Sequence, residues 1–318
     1  SQHMPDLGPV RSSKAQRLTH YKPGYTRPPR RPIFVPGMNW LGLVLVGPKA
    51  RLGPPTMAAM RWWSRRGPHA TTKRKLEAEL LLDCVAAWGE RVIHVFDRGF
   101  AESPWLRLCF ALQQHLIVRW PHGDYLIDEK GQARKAWQIA RGKRPWGKRQ
   151  IWNAHLHRYI ETSVLAFPVR HPDFAVPLWL VVSRQGKGRR PWYILTTEEV
   201  RTEEQAWRIV FAYARRWTIE GTWRFNKSEL GIECPRLRQW DLCRKLLLMV
   251  TLAYAFLLTL MRQEKRAVRQ WLLRHYCHRT GKKAREAKLP LYRLRLAVSR
   301  LWSAHPPHFE CLAQRRLA

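Results

Sequence analysis

The chain has 318 residues, enough for a substantial core and for two domains or one domain with an insertion. Its apolar fraction of 45% fits a folded protein, which excludes a wholly disordered chain. Lys and Arg number 58 against 23 Asp and Glu, and the resulting +35 favours a polyanionic partner: nucleic acid or an anionic membrane surface.

Residues 1–32 are basic and Pro-rich, with RPPRRP at 27–32, and read as an extended arm without a core of its own. MNWLGLVLVG (38–47) predicts a strand and PTMAAMRWW (55–63) its partner, joined through a GPP turn. TTKRKLEAELLLDCVAAWG (71–89) predicts a helix that Thr opens and Gly89 stops. RVIHVFDRGF (91–100) is an apolar strand ending at Asp97. Next comes SPWLRLCFALQQH (103–115), a helix with Ser103 as N-cap and Pro104 at its first position. LIVRW (116–120) is a further strand.

From 121 to 191 the texture changes to short strand-like runs, QIWNAHL, SVLAFPVR and PLWLVVSR. Basic turns at 140–149 and 184–191 separate them, so the region reads as a β-rich insertion. WYILTT (192–197) is one more strand. Thr202 with Gln205 three residues later is a capping box that opens a long helical stretch closed by Gly231. The apolar run LLLMVTLAYAFLLTLM (246–261) is 16 residues. That falls short of the roughly 20 a spanning helix needs, so it reads as a buried core helix and no membrane partner is expected. LYRLRLAVSRLWSA (291–304) is a basic helix in a helical C-terminal region. The predicted organisation is therefore an arm (1–32), an α/β domain in two parts (33–120 and 192–262), the insertion (121–191) and the helical end (263–318). The six cysteines include no CxxC, which points to reduced thiols in a cytosolic compartment. His278, Cys277, His308 and Cys311 match no zinc-finger spacing.

One acid, Glu220, stands among Arg215, Arg216, Arg224 and Lys227 in YARRWTIEGTWRFNK (213–227). The plain reading is a surface ion pair with Arg216 or Arg224, four residues away on either side. On a continuous helix at about 100° per residue, however, Tyr213, Arg216, Glu220 and Lys227 share a stripe about 60° wide. A carboxylate beside a phenol and two cations suits a phosphodiester site: the carboxylate holds a divalent metal and the cations grip phosphate oxygens. Asp97, at the end of an apolar strand, is where a parallel sheet delivers functional side chains.

Tyr213-x2-Arg216-x3-Glu220-x6-Lys227 resembles the Tyr-Arg-Glu-Lys signature of bacterial insertion-sequence transposases of the DDE class. FDRGF around Asp97 resembles that family's second catalytic Asp, and Trp192-x3-Thr-Thr before a long helix also matches. The resemblance spans about residues 38 to 262. It implies an RNase H-like fold, a mixed sheet with flanking helices, interrupted by a β-strand insertion before the Glu-bearing helix. It further implies Mg²⁺ or Mn²⁺ held by three carboxylates, nicking of double-stranded DNA at transposon ends, and strand transfer by the freed 3′-OH. Asp97 and Glu220 would be metal ligands. Tyr213, Arg216 and Lys227 would contact DNA, and Trp192 would stack on an extruded base; Arg224, a further cation of the 213–227 stretch, is expected to bind DNA as well. End-bridging homodimers and a nucleoid-associated, cytoplasmic location are implied as well.

The family's first Asp has no counterpart on an apolar strand here, because the only acid among residues 1–76 is Asp6. The expectation is a chain missing its first strand and that Asp, with impaired metal chemistry and intact DNA binding. The alternative is a catalytically inactive DNA-binding remnant; an RNA-binding protein is a third reading.

Overall fold

The computed structural model describes residues 8–11, 33–47, 55–153, 157–186, 189–235, 237, 239–277 and 291–306. Most of the arm, Asp6, His278, His308 and Cys311 lie outside the described residues. Two compact units divide the chain: Glu77–Trp217, and Ser1–Leu76 together with Thr218–Ala318.

The first is a sheet unit. Its strands are β5 (Ile93–Phe96), β6 (His115–Arg119), β7 (Tyr125–Ile127), β8 (Ala133–Lys135), β9 (Gly147–Asn153), β10 (Arg158–His171), β11 (Phe174–Gln185) and β12 (Trp192–Thr196). Eight strands form one sheet in the order β5-β6-β12-β11-β10-β7-β8, with β9 also paired to β10. Among the described strands of this sheet only β5 and β6 run parallel, and that pair requires a crossover helix, here α2 (Ser103–Ala111). Strands from the 121–191 region thus continue the sheet that β5 and β6 begin, through the β12–β6 pairing.

Alternation along the strands explains both cores. Leu116, Val118, Leu180, Val182, Tyr193 and Leu195 face one side, where Leu81, α2 and α3 (Ala136–Ala140) cover them. Ile117, Val181 and Ile194 face the other, against Trp207, Val210 and Tyr213 of α4 (Glu203–Ala214). Strands buried on both faces read as continuous apolar runs, which is why these segments stood out in the sequence. The result is a mixed α/β architecture consistent with an RNase H-like fold.

The second unit carries two hairpins, β1 (Pro9–Arg11) with β2 (Phe34–Pro36) and β3 (Asn39–Leu45) with β4 (Thr56–Trp63). Its helices are α5 (Thr218–Ser228), α6 (Trp240–Leu260), α7 (Arg266–Tyr276) and α8 (Leu291–Ala304), and α1 (Lys73–Trp88) joins the two units in sequence. Helix α6 buries Leu247, Val250, Tyr254, Leu257 and Leu260 in its core. Leu248, Met249, Leu252 and Phe256 on the same helix are each more than half exposed, so it is a core helix on one side only. By length and composition α6 could cross a membrane, a test that core helices also pass.

Two local expectations shift. Ser103 is the first helical residue of α2, Glu102 is the N-cap, and Ser103 Oγ donates to Asp173 Oδ2 at 2.8 Å. The single helix expected from Thr202 to Gly231 is broken by a 3₁₀ turn, Arg215–Trp217. A 3₁₀ turn advances about 120° per residue, so the stripe calculated for one straight helix holds only within each half.

Candidate active site

Asp97 follows β5 directly, and Phe96 pairs with Val118, so Asp97 and Arg119 are the next residues along two adjacent parallel strands. Functional groups collect at this carboxyl end of parallel strands because the backbone delivers them there without disturbing the sheet. Asp97 Oδ1 accepts from Gly99 N at 2.8 Å, and Phe100 N donates to the Asp97 carbonyl at 3.2 Å. Either side of the turn is anchored by rings: Phe96 to Phe100 at 5.0 Å, Phe96 to Trp105 at 5.4 Å and Phe100 to Trp105 at 5.1 Å. The flanking phenylalanines are thus held in a core cluster while the carboxylate between them is exposed. A Cβ at Gly99 would come 3.1 Å from Asp97 Oδ1, a close approach that a larger residue would have to relieve by shifting the carboxylate.

Trp192, Tyr213 and Arg119 form a cluster in the same unit. Tyr213 is 5% exposed and packs in the second core, its ring edge-on to Trp192 at 5.3 Å. The Arg119 guanidinium lies 5.6 Å from the Trp192 ring centroid and donates to the Pro191 carbonyl at 2.7 Å. Burial pushes the Arg119 pKa down to about 10, against support from Tyr213 and Tyr193 and with a further lowering from Arg98. Sequence reasoning passed over Arg119 as part of LIVRW. The available signal was a cation closing an apolar strand next to the one that delivers Asp97. Arg216 lies in the 3₁₀ turn with its guanidinium 4.7 Å from the exposed Trp217 ring.

Glu220, Arg224 and Lys227 belong to α5 in the other unit. Their i, i+4, i+7 spacing puts them on one stripe, and all three are exposed. The opposite face fixes the helix: Thr222 and Asn226 are buried, and Thr222 Oγ1 donates to the Thr218 carbonyl at 3.2 Å. Trp223 meets Trp40 edge-on at 3.9 Å, and its ring comes so close to Gly42 that a Cβ there would sit 3.0 Å away. Lys227 Nζ pairs with Glu233 Oε1 at 2.8 Å.

The structure therefore brings Glu220, Arg224 and Lys227 together on one helix stripe, and Trp192, Tyr213 and Arg119 together in one packed cluster. The donor type of Asp97 and Glu220 suits a hard divalent cation, which takes oxygen ligands. Among the described residues, no group of three His, Cys, Asp or Glu side chains gathers to hold a metal.

No curated protein matches the chain. Residues 69–256 match the family described as Transposase DDE domain, a stretch that includes Asp97, Trp192, Tyr213, Arg216, Glu220, Arg224 and Lys227. That match covers more than half of the chain, and the protein belongs to the DDE transposase domain family.

Proposed function

We propose that this chain is the transposase of a bacterial insertion sequence, acting on double-stranded DNA at the element's ends, with Asp97 and Glu220 as metal-binding carboxylates. The observation that carries this reading is Asp97, an exposed carboxylate set by its own turn and by three anchored rings at the end of a parallel strand. Bound Mg²⁺ or Mn²⁺ would supply the Lewis acidity that activates a phosphodiester toward water and then toward a 3′-OH. The remaining work belongs to the chain's own side chains. Arg216, Arg224 and Lys227 draw in the DNA backbone, and such contacts position a duplex without reading its sequence. Tyr213 and Arg119 brace Trp192, which is suited to stack on a base displaced beside the cut. Action as a homodimer on DNA, at the nucleoid in the cytoplasm, is part of the same proposal.

The third carboxylate of the family is the weak point. Asp6 is the only acid before Glu77. We propose that these 318 residues bind metal weakly and cleave slowly while still binding DNA through their basic surface. The second reading is a DNA-binding protein without chemistry, and the observation behind it is that no acid stands between Asp6 and Glu77.

Titration of Mn²⁺, followed by electron paramagnetic resonance of the free ion, tests the ligand assignment. Asp97→Ala and Glu220→Ala should each weaken Mn²⁺ binding about tenfold or more, because affinity follows the count of charged oxygen ligands. Equal binding by wild type and both variants would remove these two residues from the metal site.

A further inference from the structure

We propose that the outer face of the β9–β10 hairpin is a stacking platform for unpaired bases of DNA. It is separate from the Trp192 cluster, and it rests on the reading of this protein as DNA-binding. The hairpin's two faces have opposite characters. On the inner face Ile151 packs on the second core, and Arg149 bonds Glu204 at 2.5 Å while its guanidinium lies 5.1 Å from the Trp207 ring centroid. These contacts pin β9 to α4, and among the described residues β9 pairs with β10 alone.

The outer face places large aromatics in solvent. Alternation puts Trp146, Lys148, Gln150 and Trp152 on that side, and all four are exposed. Trp152 is 51% exposed, and Tyr159, directly opposite it in register, is 65% exposed. Their centroids are 5.3 Å apart at an interplanar angle of 67°, and His157 lies edge-on to Trp152 at 6.5 Å. In an edge-on pair at most one ring face is covered by the partner, so faces remain for a flat ligand. Trp146 and Trp152 are six residues apart on an extended strand, about 20 Å, a span of several nucleotides. Between them stands Lys148, paired with Glu161 at 3.0 Å.

Charge selects the occupant. Residues 141–149, RGKRPWGKR, hold five cations and no acid, and lead directly into this face. Aromatic faces set within such a basic stretch match a polyanion whose bases are free to stack, and every base has a face to offer. A second copy of this chain, also carrying +35, is a poor match to the same surface. The plainer role, a cross-strand aromatic pair that stabilises its own hairpin, predicts a change in melting temperature and none in ligand preference.

The experiment compares the full chain with Trp152→Ala/Tyr159→Ala and Trp152→Phe by fluorescence anisotropy. The probes are a blunt DNA duplex, the same duplex with a three-nucleotide gap, and single-stranded oligo-dT. Wild type should prefer the gapped duplex to the blunt one. The double variant should lose about tenfold on the gapped duplex and on oligo-dT, with blunt-duplex affinity unchanged, and Trp152→Phe should keep most of the preference. An equal loss on all three probes, or none on any, would overturn the proposal. So would a tighter grip on an RNA oligonucleotide of the same length, or a double variant that changes sedimentation of the DNA-free chain. If wild type ignores the blunt duplex, the transposase reading fails, and the oligo-dT arm still judges the hairpin.

Discussion

The sheet unit and the helical unit of this protein differ in how they cover apolar surface and where they bury charge. In the sheet unit, strands alternate between two apolar cores, and helices cover both faces. Asp97, Trp192 and Arg119 emerge from that frame at strand ends, where packing has already fixed the backbone. In the helical unit, α6 leaves a row of apolar side chains in solvent. Its partner α8 buries Arg293 at 1% exposure, and none of its three guanidinium nitrogens has a hydrogen-bond partner among the described residues. Glu220 lies on a short helix of this unit. One of the proposed metal ligands therefore stands on a closed scaffold, and the other on one whose burial and charge balance leave room for improvement.

Two substitutions sharpen that contrast, and they carry opposite signs. Trp207 is fully buried between α4 and the sheet, with Nε1 donating to Glu203 at 2.9 Å. Trp207→Ala should destabilise the protein by about 3–5 kcal/mol in denaturant unfolding, because a closed core cannot collapse around the void. A loss below about 1 kcal/mol would mean that this face is looser than its packing indicates. Arg293→Leu should do the reverse. A buried charge without a partner carries a desolvation cost that an apolar side chain of similar volume avoids, so stability should rise by about 1–4 kcal/mol, read as a higher Tm. A falling Tm would show that Arg293 is satisfied after all, and the contrast between the units would shrink.

Much of the sheet unit was legible because its chemistry is local. WYILTT, LIVRW and SVLAFPVR are apolar on both faces, and the Thr202–Gln205 box marks the start of α4 with both reciprocal bonds in place. Gly89 stops α1 at φ +54 and Gly231 lies beyond α5 at φ +64, as the left-handed positions that end helices require. Harder to read were the non-local pairings. Nothing in residues 121–191 announces that β10 and β11 join the sheet of β5 and β6, because strand pairing leaves little trace in one sequence. The short β7, β8 and α3 lack the periodicity that reveals longer elements. Tyr213 and Glu220 seemed to share a stripe because 100° per residue was carried through Arg215–Trp217, where the chain turns as a 3₁₀ helix. Arg119 was hidden by its apolar neighbours. Its place beside Trp192 comes from the β6–β12 register, a fact of the fold.

The measurement that bears most directly on the central claim is nicking of supercoiled plasmid by the purified chain with Mn²⁺. Wild type would be run beside Asp97→Ala and Glu220→Ala, with duplex binding measured on all three. The account predicts slow, Mn²⁺-dependent nicking by wild type that both variants lose, while each still binds duplex DNA in a salt-sensitive way. Nicking that persists in both variants, or proceeds equally well in EDTA, would contradict it.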